Sequence, residues 1–116
     1  MVSSYQALCY LYDEQGNYAQ AIAAGERALK YYPSDSETLD NTADCYLHLH
    51  DYKASLTFSQ EALDANANDP CAHMNMGEGY IRQGEKAKAR EEWNKVLAID
   101  HGQFAQSAQK ELSKYP

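Results

Sequence analysis

Long apolar runs are missing from this 116-residue chain, and no stretch approaches the roughly 18 residues of a membrane-spanning helix. The N-terminal MVSSYQALCY has neither a basic region nor an apolar signal core, so a soluble chain is expected. Bases are scarce: 10 Lys and Arg stand against 17 Asp and Glu, a net charge of −7. Residues 1–80 hold three bases and twelve acids, whereas residues 81–116 hold seven and five. An acidic body argues against nucleic acid and anionic membrane and favours a neutral or basic partner.

Cysteine is equally sparse. Cys9, Cys45 and Cys71 are odd in number and widely spaced, with no paired-cysteine metal motif. They read as reduced thiols of a cytoplasm-like compartment. The glycines stand singly at 16, 25, 77, 79, 84 and 102, so no glycine-rich phosphate loop exists and no cofactor is expected. The aromatic residues are one Trp, two Phe and ten Tyr, and each buried phenol wants a hydrogen-bond partner.

What the chain does contain is a repeat. Shifted by 34 residues it falls on itself twice: Tyr12 on Tyr46 and Tyr80, Leu29 on Leu63 and Leu97, Ala28 on Ala62 and Val96, Ala21 on Ser55 and Ala89. Gly16 meets His50 and Gly84, and Tyr18 meets Tyr52. Within each unit the apolar residues recur at three- and four-residue steps, which predicts two helices per unit. The expected helices cover 3–15, 18–31, 36–49, 52–65, 70–83 and 86–99, with a seventh from about 103 to 114 after Gly102. Gly16 suits a left-handed C-terminal position, with Asn17 capping the next helix. Ser34 to Glu37 has capping-box spacing, and Asp69-Pro70 offers a cap followed by a first-turn proline.

Small residues at 21, 28, 62 and 89 let antiparallel helices approach, with Tyr12, Tyr46, Tyr80 and Trp93 as the large pieces between them. Gly25 falls in the column of Ser59 and Trp93, and in a helix interior it costs about 1 kcal/mol against alanine. It is expected to leave a void unless Tyr31 or Tyr32 fills it, making the first repeat the loosest. Phe104, Ala108, Leu112 and Tyr115 form a stripe suited to a capping helix that shields the last apolar face. No such cap precedes Ser3, which suggests either a piece of a longer array or an N-terminal face that contacts another molecule.

Period, helix pairing and the small/large columns together resemble the tetratricopeptide repeat family over residues 3–101. The resemblance implies an all-α, right-handed superhelical array of antiparallel helix pairs. It consists of one domain over 1–116, with repeats at about 2–35, 36–69 and 70–102 and a capping helix at about 103–115. It also implies that the first helix of each repeat lines a concave groove accepting a segment of another protein. The outward stripe of those helices reads Gln6, Tyr10, Asp13 and Glu14; Glu37, Asp40, Asp44, Leu47 and His48; Cys71, Met74, Glu78, Ile81 and Arg82. Tyr10, Leu47, Met74 and Ile81 are its apolar anchors. The family's carboxylate clamp for heat-shock chaperones needs cations, but Gln6, Tyr10, Asn41, Cys71 and Asn75 stand at those places.

Catalysis is not expected. His48 and His50 lie two apart on a helix and diverge by about 200°, and His73 and His101 have no ligand spacing, so all four read as structural or surface residues. No base accompanies a cysteine as a nucleophile requires. Asp40 with Asp44, and Glu91 with Glu92, read as solvated stripes. KAKAR at 86–90 lacks interleaved aromatic residues, and with Ala87 and Ala89 inward it reads as a solvated face or a patch for an acidic partner. The functional expectation is a protein–protein interaction scaffold whose acidic groove takes a basic or amphipathic segment. The alternative is a secretion-type chaperone shielding a partner segment.

Overall fold

The computed structural model describes residues 2–116, and from Tyr5 onward their side chains as well. Seven helices follow one another: α1 (Val2–Glu14), α2 (Tyr18–Tyr31), α3 (Ser36–His48), α4 (Tyr52–Ala65), α5 (Pro70–Arg82), α6 (Lys86–Ile99) and α7 (Gln103–Lys114). No strand occurs among the described residues, and the result is an all-α solenoid 44 Å long and 25 Å by 21 Å across. The pairs α1–α2, α3–α4 and α5–α6 are joined by short turns and pack against one another in order.

The turns inside the pairs share one construction. The amides of Gly16 and Asn17 donate back to the carbonyls of Asp13 and Tyr12. His50 and Asp51 do the same to Leu47 and Tyr46, and Gly84 and Glu85 to Ile81 and Tyr80. This is the Schellman closure, with the central residue left-handed: φ is 79° at Gly16, 64° at His50 and 80° at Gly84. The tyrosine column thus supplies the accepting carbonyl each time. Because the chain leaves the helix there, α1, α3 and α5 each end one residue before the sequence-based boundary.

Between pairs, Asp69 accepts from the amides of Cys71 and Ala72 ahead of Pro70, as its position predicts. The capping box does not form at Ser34. Asp35 is the N-cap of α3, and its carboxylate is engaged by the Gln6 amide and the Thr38 hydroxyl.

Three apolar clusters run along the solenoid, each drawing on adjacent pairs. Ala21, Ile22 and Cys45 are flanked by Tyr12, Tyr18 and Tyr46. Leu39, Ala62 and Ala72 are flanked by Leu29, Phe58 and Leu63. Ala89, Trp93, Val96 and Ala108 are flanked by Met74, Tyr80, Ile81, Leu97, Leu112 and Tyr115. Trp93 is fully buried and is stacked on Tyr115, ring centroids 5.9 Å apart.

Gly25 leaves no void. A Cβ placed there would lie 2.5 Å from Thr42 Oγ1 and 3.1 Å from Cys9 Sγ, while Tyr31 and Tyr32 are exposed. Thr42 of the second pair and Cys9 occupy the space beside Gly25, whereas in the third pair the small residue is on the first helix and Gly77 faces Trp93. In the capping helix Ala108 is buried, but Phe104 lies at the exposed margin of its stripe. Ala87 is exposed, so only Ala89 of the KAKAR run faces inward.

Candidate concave binding face

The first helices α1, α3 and α5, followed by α7, touch in succession, whereas α2, α4 and α6 make no contact with one another among the described residues. A row that closes up on itself is the inner row of a curved array. The outer faces of α1, α3 and α5 therefore share one concave surface.

Two depressions mark that surface. The first, about 280 Å³, is lined by Gln6, Tyr10 and Glu37 together with Ala7, Asp35, Thr38 and Asn41. The second, about 550 Å³, is lined by Asp44, Leu47, His48, Met74, Glu78 and Arg82, with His50, Tyr52 and Asn75. Nine of the residues expected on the groove thus line one or the other. Asp13, Glu14, Asp40, Cys71 and Ile81 line neither. His50, Tyr52 and Asn75 were absent from the sequence-based set. For His50 and Tyr52 the signal lay in the turn, since His50 occupies the glycine column and its ring nitrogen sits 2.7 Å from the Tyr52 hydroxyl; Asn75, within α5, carried no such signal.

The carboxylates are not a solvated stripe. Asp40 is only 7% exposed and Asp69 only 6%. Asp40 Oδ1 and Asp69 Oδ2 have no N–H or O–H donor, so a proton held between the two carboxyls satisfies both. Burial, and then the hydrogen bond and charge of Asp69, push Asp40 up to about 9. Asp13 and Asp44 meet similarly from α1 and α3. Burial, and then the hydrogen bond and charge of Asp44, push Asp13 up to about 7. The formal charge of the face is therefore reduced where these pairs share protons.

Glu14 and Glu37 are the exposed acids, and Asp44 and Glu78 are half-buried. The single base of the stripe, Arg82, is held 2.7 Å from Glu78. Of the apolar anchors only Tyr10 is well exposed, at 48%. Leu47, Met74 and Ile81 are half-buried, and the last two also pack on the Trp93 cluster.

Away from the groove, His73 is buried with its Nδ1 2.8 Å from Glu92 Oε1, and Lys95 reaches the other oxygen at 3.1 Å. Glu92 is therefore a buried partner and not a solvated one. Arg90 is likewise no part of a solvated face, since it donates to the carbonyls of Leu112 and Tyr115 and fastens α7. All three cysteines are free, and burial raises each thiol, Cys9 to about 11. No helix among the described residues is long and apolar enough to cross a membrane.

The chain is 40% identical over 76 residues to the photosystem I assembly protein Ycf3 of two Prochlorococcus marinus strains, MIT 9303 and MIT 9313. That match takes in 63% of this chain and spans 44% of the length of those relatives. The first TPR domain of human RPAP3 superimposes with a TM-score of 0.91 at 21% identity, covering 99% of this chain and 89% of that one. The first TPR of Spaghetti (RPAP3), bound to HSP90 peptide SRMEEVD, gives 0.91 at 20% identity, over 98% and 89%. Residues 7–70 match a family model described as tetratricopeptide repeat, and residues 70–103 match a second of the same description. With more than half of the sequence inside the first match alone, the chain belongs to the tetratricopeptide repeat family.

Proposed function

We propose that the chain is a protein-interaction module whose concave face binds a basic or amphipathic segment of a partner protein. The observation that carries this reading is the succession α1, α3 and α5 with two adjoining depressions between them. Together they offer a track for an extended or helical segment, with room for side chains of the size found in ligand pockets. The relative of the same fold that is bound to SRMEEVD holds an acidic peptide. This face has the opposite balance: Glu14, Glu37, Asp44 and Glu78 are on the surface, and its one arginine is already paired. Such a face attracts a cationic segment.

Selection from a displayed random-peptide library, with the enriched peptides mapped by chemical-shift perturbation, tests the proposal. Enrichment of basic or amphipathic sequences that perturb Tyr10, Glu37, Leu47 and Met74 is the expected result. Enrichment of acidic sequences, or perturbation confined to α2, α4 and α6, would overturn it.

A further inference from the structure

We propose that a cavity at the connection between the first two helix pairs is a subsite for an arginine side chain of the partner segment. About 540 Å³ in volume, it is lined by Gln6, Tyr31, Tyr32, Pro33, Ser34 and Asp35. That size is within the roughly 300–1,000 Å³ of ligand pockets. The cavity meets the first depression of the concave face at Gln6 and Asp35, which line both and are joined by a 2.9 Å hydrogen bond. A segment lying along that face reaches the cavity by passing over this bridge. The occupant rests on the peptide-binding reading, because the arginine belongs to such a segment.

The 34-residue period shows that the fold does not ask for these walls. Where the first repeat has Tyr31, Tyr32 and Pro33, the second has Ala65, Asn66 and Ala67, and the third Ile99, Asp100 and His101. Tyr31 is 62% exposed and Tyr32 52%, and neither joins an apolar cluster. Asp35 also departs from its column. Its counterpart Asp69 accepts from two amides at the start of α5, whereas the carboxylate of Asp35 takes no bond from the amides of α3. Its Oδ2 is turned instead to the Gln6 amide and the Thr38 hydroxyl.

The polarity of what remains selects the occupant. With its amide nitrogen given to Asp35, Gln6 is left with Oε1, and Asp35 is left with Oδ1. Both atoms are acceptors, and neither meets a donor side chain among the described residues. No lysine or arginine lines the cavity, and Arg27 of α2 lies instead over the Tyr5 ring, 5.5 Å from its centroid. A carboxylate without a base, a carbonyl oxygen and two phenol rings fit a group that is flat, cationic and made only of donors. Guanidinium is that group. Its five N–H groups can serve both oxygens while its plane lies on a tyrosine. An ammonium would serve the oxygens without stacking, and a proline ring would pack on the tyrosines without serving the oxygens.

Titration of the isotope-labelled full chain with acetyl-Ala-Arg-Ala-amide, followed by amide chemical shifts, tests the subsite. Saturable shifts at Gln6, Tyr31, Tyr32, Ser34 and Asp35 are expected. The citrulline peptide, which keeps the shape and loses the charge, should bind about fivefold more weakly or worse, and Asp35→Asn should weaken the arginine peptide as much. Tyr32→Ala should cost about two- to fivefold, the worth of a cation–π contact at an exposed site. Glu61→Gln, which removes an exposed carboxylate from α4, should bind as the wild type does. Circular dichroism should show all three variants fully helical. Equal binding of the citrulline or lysine peptide, tighter binding of acetyl-Ala-Pro-Pro-amide at the same amides, or no saturable shift there would overturn the proposal. The tripeptide does not need the rest of the face, so the two readings fail separately. Shifts at the cavity with no enrichment in the peptide selection would uphold this subsite and sink the peptide-binding reading. Enriched basic peptides that leave residues 31–35 unperturbed would do the reverse.

Discussion

Gly77 and Trp93 touch so closely that a Cβ built on the glycine would lie 2.2 Å from the indole Nε1. The contact joins α5 to α6 at the centre of the largest apolar cluster, and it dictates both residues at once. Trp93 is the largest fully buried side chain, so Trp93→Ala should cost about 3–5 kcal/mol. Gly77→Ala overpacks the same spot and should cost about 1–3 kcal/mol. In the Trp93→Ala background the sign should reverse. The obstacle is then gone, and alanine gains up to about 1 kcal/mol over glycine in a helix. Urea denaturation of the four proteins closes the cycle, and strictly additive losses would contradict the contact.

The buried Asp40–Asp69 pair predicts a pH dependence of stability. Asp40 is raised from 3.8 to about 9 in the folded chain, so between those values the folded state holds a proton that the unfolded state has released. Stability contributed by this group is therefore fully present below pH 3.8 and is lost as pH rises toward about 9. One proton of difference gives a slope of at most about 1.4 kcal/mol per pH unit. Asn at position 40 stays neutral and can still donate to Asp69. Asp40→Asn should therefore flatten the decline and exceed the wild type in stability at pH 8 to 9. Parallel stability profiles for the two proteins would show that the pair does not share a proton.

Helices and turns were legible because they repeat: three tyrosines at a fixed interval mark three turns built alike. Burial of polar groups was not, because it depends on contacts between units that no column displays. On a helical projection Asp40 and Asp44 look equivalent, yet Asp40 is sealed by an N-cap residue 29 positions later and Asp44 faces the last turn of α1. Size alone also misled at Gly25, where Thr42 from the next pair already fills the space. Arg90 read as one more surface base because its acceptors, 22 and 25 residues away, are backbone carbonyls.

His50 carries the only left-handed φ on a non-glycine residue among the described positions, 64°. A side chain in that conformation costs roughly 1–2 kcal/mol. His50→Gly removes that strain, at the expense of the contact to Tyr52 and of added freedom in the unfolded chain. A net gain of about 0.5–1 kcal/mol should follow. Gly16→Ala and Gly84→Ala, which impose the same strain where it is now absent, should each lose about 1 kcal/mol. Thermal denaturation of the three variants measures this directly, and destabilisation by His50→Gly would mean that the Tyr52 contact dominates.

The proposed groove separates two kinds of contribution that kinetics can resolve. Glu14 and Glu37 are exposed and make no ion pair among the described residues, so their charge acts at a distance and is open to screening. Glu14→Lys with Glu37→Lys should slow association of a selected basic peptide at low salt. The difference from wild type should shrink as the Debye length falls from about 10 Å at 0.1 M to about 3 Å at 1 M. Tyr10 offers area and not charge, so Tyr10→Ala should mainly speed dissociation and keep that effect at high salt. All these side chains are exposed, so helical content should be unchanged. The competing location is the basic edge of α6. Charge reversal at Lys86 and Lys88 tests it without touching Arg90, whose loss would release α7. If that reversal abolishes binding while the groove variants bind normally, the partner sits on α6 and the concave face is not its site.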